Sequence, residues 1–286
     1  MIVDSHCHLD YFPEESWDDM LNQCKQNGVM ALCNVSVDLD KFENIVKPCK
    51  LYNGIYCSIG THPCSAHDAK VSNTANHAHS DTYESLLSLH NANAEHIIAV
   101  GETGLDYFHD SKDVNMDEYV MSQKQSLEAH IQLASQTGKP LIIHSRDAEN
   151  DTYDILKDAY RNCGITGVMH CFTGSKAFMF KMLDLGFYIS MSGIVTFNNA
   201  KELQETALHI PLSNLLIETD SPYLCPVPLR GQKNQPANVM HVAKFMAKHL
   251  NRTEDEISNI TTENFCNLFN VSLSHINADN AFAKLQ

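Results

Sequence analysis

The chain has 286 residues, 43% of them hydrophobic, enough to bury a large core and to exclude the disordered class. Asp and Glu total 35 against 20 Lys and Arg, a formal net charge of −15, which excludes broad non-specific nucleic-acid binding through a basic surface but not a small, locally positive site. No apolar run approaches membrane-spanning length, no basic-then-apolar leader opens the chain, and the 10 cysteines include no Cys-x-x-Cys pair, so a cytoplasmic protein with reduced thiols is expected.

Short apolar, β-rich runs bounded by turn or polar residues recur along the chain. In order they are IVDSH from Ile2, ALCNVS from Ala31, IYCSIG from Ile55, IIAVGE from Ile97, PLIIHS from Pro140, GVMHC from Gly167, FYISMSG from Phe187 and LLIET from Leu215. Helical periodicity fills the intervals, as in DEYVMSQKQSLEAHIQLASQTG from Asp117, which stops at Gly138, and DTYDILKDAYRNCG from Asp151. Continuous apolar strands alternating with helices predict a parallel sheet covered on its faces. Eight such units predict the α/β class and a (β/α)8 TIM barrel forming one domain over residues 1–286. The rival is an open doubly wound sheet, but no Gly-x-Gly-x-x-Gly turn follows a strand. One stretch, DAKVSNTANHAHSD after the third strand, is expected to be a solvated, mobile insertion. Its His77 and His79 copy the spacing of His6 and His8, but no apolar strand run precedes them.

In such a barrel the active site lies at the C-terminal ends of the strands. The first strand ends in His6 and His8, which share a face at a spacing of two. The third ends in His62, the fourth in Glu102 and Asp106, the fifth in His144 and Arg146, the sixth in His170, and the eighth in Glu218 and Asp220. Each alone has a bland reading: a histidine satisfied at a rim, GETG as a turn, Asp220 as a turn former or helix cap. Jointly they do not, because unpaired polar groups gathered at one rim cost free energy that a metal centre removes. Three protein ligands normally serve one catalytic ion. Six therefore fit two ions sharing a bridging carboxylate: His6, His8, Glu102 and Asp220 for one, Glu102, His144 and His170 for the other. Mixed nitrogen and oxygen donors without thiolate suit Zn²⁺, Mn²⁺, Co²⁺ or Fe²⁺, with Mg²⁺ tolerated. Cys7 and Cys171 are expected to be turned away from the rim by strand alternation.

This series of motifs resembles the TatD family of metal-dependent deoxyribonucleases, within the amidohydrolase superfamily. The resemblance runs from DSHCHLD at Asp4 through GTHP, GETGLDY, PLIIHSRDA, MHCFTGS, ISMSGIVTF and IETDSPYL to PLRGQKNQP at Pro228. It implies a (β/α)8 hydrolase with a divalent-metal site and 3′→5′ exonuclease-type activity on DNA or also RNA. The family's ligand motifs fall on the same six residues. The resemblance also marks His62, Arg146 and Arg230 as substrate-side residues. Two positions depart from the family pattern: Gln235 stands where an acid is common, and His109 where an arginine is common.

Two ions roughly 3.5–4 Å apart stabilise the attacking and leaving oxygens of a displacement. Asp220 is the expected ligand and general base, with Glu102 as bridge. Arg146 and Arg230 are the expected phosphate clamps. Lys176 and Lys233 are more simply read as solvated surface cations. Glu218, two residues before Asp220, is expected to orient a histidine ligand. The substrate partner is then nucleic acid, without membrane involvement, and the chain is expected to be a monomer. A small-molecule amidohydrolase, phosphotriesterase or ester hydrolase on the same barrel is the alternative, and a non-catalytic adaptor is a third reading. Many binuclear amidohydrolases bridge their metals with a modified lysine at the fourth strand, where this chain has Glu102; an adaptor has no need of six converging ligands.

Overall fold

The structure is a computed structural model that describes residues 1–66, 78–108 and 115–285, without the side chains of 78–81. One sheet holds β1 (Ile2–Cys7), β2 (Val29–Asn34), β3 (Ile55–Ile59), β4 (Ile97–Asp106), β5 (Leu141–Arg146), β6 (Gly167–Met169), β7 (Tyr188–Met191) and β8 (Leu215–Ile217), in that order. Every neighbouring pair is parallel. The helices among the described residues are α1 (Trp17–Gln26), α2 (Phe42–Leu51), α3 (Pro63–Ala66), α4 (Ala78–Asn93), α5 (Met116–Thr137), α6 (Glu149–Cys163), α7 (Lys176–Asp184), α8 (Lys201–Ala207), α9 (Val239–His249) and α10 (Glu254–Phe269). This is the expected TIM-type α/β barrel.

Local chemistry explains the elements. The strands are buried on both faces, which is why their sequences read as unbroken apolar runs instead of alternating ones. In α1 the buried Trp17, Met20, Leu21 and Cys24 recur at helical spacing. α5 and α6 each stop where glycine takes a left-handed conformation, Gly138 at φ 67° and Gly164 at φ 66°. α10 starts on a capping box, with the Thr253 hydroxyl accepting from the Glu256 N–H and the Glu256 carboxylate accepting from the Thr253 N–H.

The seam between β1 and β8 is short, so side chains help close it. A bridge joins Cys7 and Ser221, the Asp220 N–H donates to the His6 carbonyl at 2.9 Å, and the His8 N–H donates to the Ser221 carbonyl at 2.9 Å. Below them the buried Asp4 carboxylate accepts the Thr219 N–H at 2.8 Å and the Thr219 hydroxyl at 2.5 Å. These bonds tie both candidate ligand strands to one another.

GETG is not a turn. β4 runs through it to Asp106. A Cβ at Gly101 would lie 2.5 Å from the Ile142 carbonyl oxygen, and one at Gly104 would lie 2.0 Å from that of His144. Both positions need glycine so that β4 can lie close to β5 and carry Glu102 between the histidines. β6 ends at Met169, so strand alternation does not orient Cys171; a left-handed turn at φ 41° does, and its N–H donates to Glu218. Cys7 is fully buried in the core. Of the stretch expected as an insertion, residues 68–77 lie outside the described residues, and α4 already begins at Ala78. His77 and the side chain of His79 therefore fall outside what is described, as does His109. Among the described residues no helix is long and apolar enough to cross a membrane.

Candidate metal centre

Strands β1, β4 and β5 and the residues just beyond β1, β6 and β8 bring His6, His8, Glu102, His144, His170 and Asp220 into one cluster, with His144 and Asp220 partly exposed and the rest buried. On one side, Nε2 of His6 and Nε2 of His8 lie 3.3 Å apart. Oε2 of Glu102 lies 3.4 Å from Nε2 of His6, and Oδ1 of Asp220 lies 3.4 Å from Nε2 of His8 and 3.7 Å from that of His6. On the other side, Oε1 of Glu102 lies 2.7 Å from Nε2 of His170, 3.0 Å from Nδ1 of His144 and 3.4 Å from Nε2 of His62. The two oxygens of Glu102 thus face different sets of imidazole nitrogens.

A further layer holds these rings. Oδ2 of Asp106 lies 2.9 Å from Nε2 of His144, which leaves Nδ1 facing Glu102. Oε1 of Glu218 lies 3.4 Å from Nδ1 of His170 and accepts the Cys171 N–H at 2.7 Å. The Val35 carbonyl lies 3.0 Å from Nδ1 of His8, so that ring donates there and keeps Nε2 on the cluster side. Left-handed non-glycine residues mark the rim, with Asp147, Cys171, Asp220 and Leu224 at φ 41–55° beyond β5, β6 and β8. Such backbone strain, on the order of 1 kcal/mol or more each, collects at functional sites.

Burial opposes charge at each group, and the neighbours decide the outcome. Burial pushes the Glu102 carboxyl up, but His170, His62 and His144 outweigh it and hold it well below the usual range. Asp220 is likewise pushed up by burial and brought below its ordinary value by His8, His6 and His170. At Asp106 burial is overcome by His144. Burial lowers His170, yet Glu102 and Glu218 raise it well above the usual imidazole value. Against burial, Asp106 and Glu102 raise His144, and Asp220 raises His8. Burial and the neighbouring His170 lower His6, and burial takes His62 down to about 4.

The donor set fits divalent metal. Among the described residues, the ion-pair partners of Glu102, Asp220 and Glu218 are all histidines, so no lysine or arginine neutralises these buried carboxylates. Donor atoms spaced 3.3–3.7 Å apart suit the edges of a coordination shell, since a tetrahedral ion about 2.1 Å from each ligand has edges of about 3.4 Å. The imidazole nitrogens facing one another at 3.3 Å are close enough to share a proton or to bind one ion. Three overlapping groups have this character: His6, His8 and Glu102; His6, His170 and Glu218; His62, Glu102 and His144.

The model of the TatD-related DNase family matches residues 3–270. The chain belongs to that family. It is 40% identical over 280 residues to "Uncharacterized metal-dependent hydrolase YcfH" of Escherichia coli (strain K12), covering 96% of this chain and 98% of the relative. It is 33% identical over 267 residues to "Uncharacterized metal-dependent hydrolase TatD" of Mycobacterium tuberculosis, covering 92% and 96%. Among solved structures, YJJV, a TatD homolog from Escherichia coli K12, superposes with a TM-score of 0.80 at 27% identity, covering 95% of this chain and 98% of that one. The chain is a metal-dependent hydrolase of this TatD family with an amidohydrolase-like fold.

Other TatD-motif residues take distinct places. The Arg146 guanidinium lies over the Phe108 ring at 3.7 Å, that of Arg230 over Phe197 at 4.2 Å, and the Lys233 ammonium over Phe12 at 4.2 Å. Among the described residues none of the three is within ion-pair distance of a carboxylate, whereas Lys41, Lys124 and Lys284 sit against Asp38, Asp151 and Asp18. Lys176 is engaged on the outer helices by His209 and Glu205. The Gln235 amide donates to Gln23 of α1 at 2.8 Å, so its side chain is bound away from the histidine cluster. Two further residues contribute: Asp106, which stands with Glu102 at the fourth strand end, and His130, which the sequence did not mark. Asp106 holds His144. His130, fully buried on α5, donates from Nδ1 to the Ser126 carbonyl at 2.7 Å and accepts the Thr61 N–H on Nε2 at 3.0 Å, fixing the residue before His62.

Proposed function

We propose that the centre holds two divalent ions bridged by Glu102 and that the enzyme hydrolyses phosphodiester bonds at nucleic-acid ends, as a 3′→5′ exodeoxyribonuclease that also accepts RNA. The observation that carries the reading is the division of Glu102, whose two oxygens face different imidazole sets. His6, His8 and Asp220 complete one ion's ligands, and His144 and His170 the other's, with His62 beside the second. Mn²⁺, Mg²⁺ or Zn²⁺ fits this nitrogen and oxygen set. When bound, the pair supplies an activated water and neutralises charge on the phosphate.

The chain's own residues do the rest. Asp220, ionised under the influence of its histidine neighbours, accepts the proton of the attacking water. Arg146 and Arg230, without carboxylate partners among the described residues, hold the phosphate oxygens. Asp106 fixes His144 with Nδ1 inward, and Glu218 orients His170. The phosphate-like choice of substrate rests on these unneutralised cations in a chain of net charge −15, together with the family's description as related to a DNase.

The test incubates purified protein and Mn²⁺ with a 5′-labelled single-stranded oligonucleotide, an amide and a phosphotriester in parallel. A ladder shortening from the 3′ end, abolished by chelator, is the expected result. An intact oligonucleotide alongside turnover of the amide or phosphotriester would overturn the assignment in favour of a small-molecule hydrolase.

A further inference from the structure

Two tyrosines stand open beside the metal centre and take no part in the chemistry above. Tyr11 follows β1 and is 39% exposed; Tyr223 follows β8 and is 54% exposed. They come from opposite ends of the barrel order yet meet edge to face, with ring centroids 6.1 Å apart at 82°. Tyr11 also lies nearly flat over the His8 ring, at 5.3 Å and 24°. The Tyr223 N–H donates to the Asp220 carbonyl at 3.0 Å, which holds its backbone beside that candidate ligand. Neither hydroxyl makes a hydrogen bond within the protein among the described residues.

A scattered exposed aromatic needs no explanation, but two in contact at the mouth of a site do. The charges around them are informative. Lys233, unpaired with any carboxylate among the described residues, lies over Phe12 and 3.5 Å from the Tyr11 carbonyl oxygen. The mouth therefore offers open aromatic faces next to a cation whose charge is not neutralised, in a protein that pairs many of its other lysines with acids. Flat π-faces beside an available positive charge match a nucleotide: a base for the rings, a phosphate for the cation.

We propose that Tyr11 and Tyr223 form a seat for one unpaired nucleobase next to the scissile phosphate, making them specificity-determining residues of the proposed reaction. The proposal rests on the phosphodiesterase reading above. Stacking accepts any base, because each has a π-face, so the seat selects an unstacked nucleotide and not a sequence. A base paired in a duplex presents no free face, and the seat then stays empty. The competing explanation is that Tyr11 merely shields His8 from solvent.

The experiment measures steady-state kinetics of the Mn²⁺-loaded enzyme on 5′-labelled single-stranded oligonucleotides. One substrate carries normal bases; two others carry an abasic nucleotide at the terminal or the penultimate 3′ position. Loss of the base at one of these positions is expected to raise KM roughly 5- to 100-fold with little change in kcat, the scale of one base–aromatic stack. Tyr223→Ala is expected to erase that discrimination and Tyr223→Phe to keep it, with bound metal counted in every sample. If the wild type cleaves all three substrates with equal KM, the seat is overturned while the phosphodiesterase reading stands. If it cleaves none, both fall together. If Tyr223→Ala and Tyr11→Ala still discriminate while holding their metal, the base sits elsewhere and the seat is overturned. Loss of metal from Tyr11→Ala with discrimination intact in Tyr223→Ala assigns Tyr11 to shielding and also overturns it.

Discussion

Asp220 and Glu102 are both buried carboxylates among histidines, but they differ in which side they face. The Asp220 side chain is 14% exposed and that of Glu102 is 3% exposed, so Asp220 is the one an incoming water meets. Asp220→Asn keeps the size and one oxygen but loses the charge and the proton acceptor. Metal occupancy should fall only modestly, while the rate of single-turnover oligonucleotide cleavage at saturating Mn²⁺ drops by about 10²-fold or more. The rise of activity with pH should also move to higher pH, because the water must then lose its proton without help. An unchanged rate with both ions held would make Asp220 a ligand only. Asp106 acts through His144, so Asp106→Ala should weaken one ion by roughly 10- to 100-fold and leave the other in place, which a metal-competition titration resolves. The clustering of the candidate ligands was legible because each stands at or just beyond the end of an apolar run. The role of Asp106 in holding His144 was not, although Asp106 stands with Glu102 at that strand end, because the apolar run IIAVGE stops at Glu102 and does not show which ring Asp106 meets. Extending it two and four residues with strand alternation through Gly104 puts Asp106 on the Glu102 face.

At the scale of elements, the loop after β3 depends on α5. His130 is neutral in the fold, because burial lowers its pKa to about 4 and its Nε2 must accept the Thr61 N–H. The folded pKa lies below the ordinary value of 6.5, so below that pH the unfolded chain takes up a proton that the fold refuses. The contribution is complete above pH 6.5 and is lost as pH falls towards 4, by up to roughly 3 kcal/mol. His130→Gln removes the titration. Urea unfolding between pH 7 and 4 should therefore show a wild-type-minus-variant difference that declines with acid; a flat difference would place the proton elsewhere. The strands themselves were legible as runs, and all eight occur in the expected order. Their ends were less so. β4 runs past GETG because glycine there permits close strand approach, and β6 and β8 stop early because His170 and Glu218 lie beyond the last ladder pairs. The role of His130 gave no signal in sequence, since a buried histidine within a helix reads as ordinary packing.

For the whole molecule the formal charge is −15, so attraction of a polyanion must be local. Arg146, Arg230 and Lys233 have no carboxylate partners among the described residues, and each phosphate neutralised on a single strand contributes about 0.7 to the salt slope. A plot of log KM against log salt should rise with a slope of about 2 if all three engage. Arg230→Ala should lower that slope by about 0.7 on every sequence, since a phosphate contact carries no base preference. A slope unaffected by Arg230→Ala would remove it from the substrate path.

A pair of divalent ions sharing Glu102 can be tested by counting metal before any substrate is chosen. Wild type and Glu102→Ala are purified without chelator, loaded with Mn²⁺, dialysed and analysed for metal per chain, with folding checked by circular dichroism. Two equivalents are expected in the wild type and near-complete loss of both in the folded variant, because one carboxylate serves each ion. Two equivalents retained by Glu102→Ala, or no metal in the wild type, would contradict it.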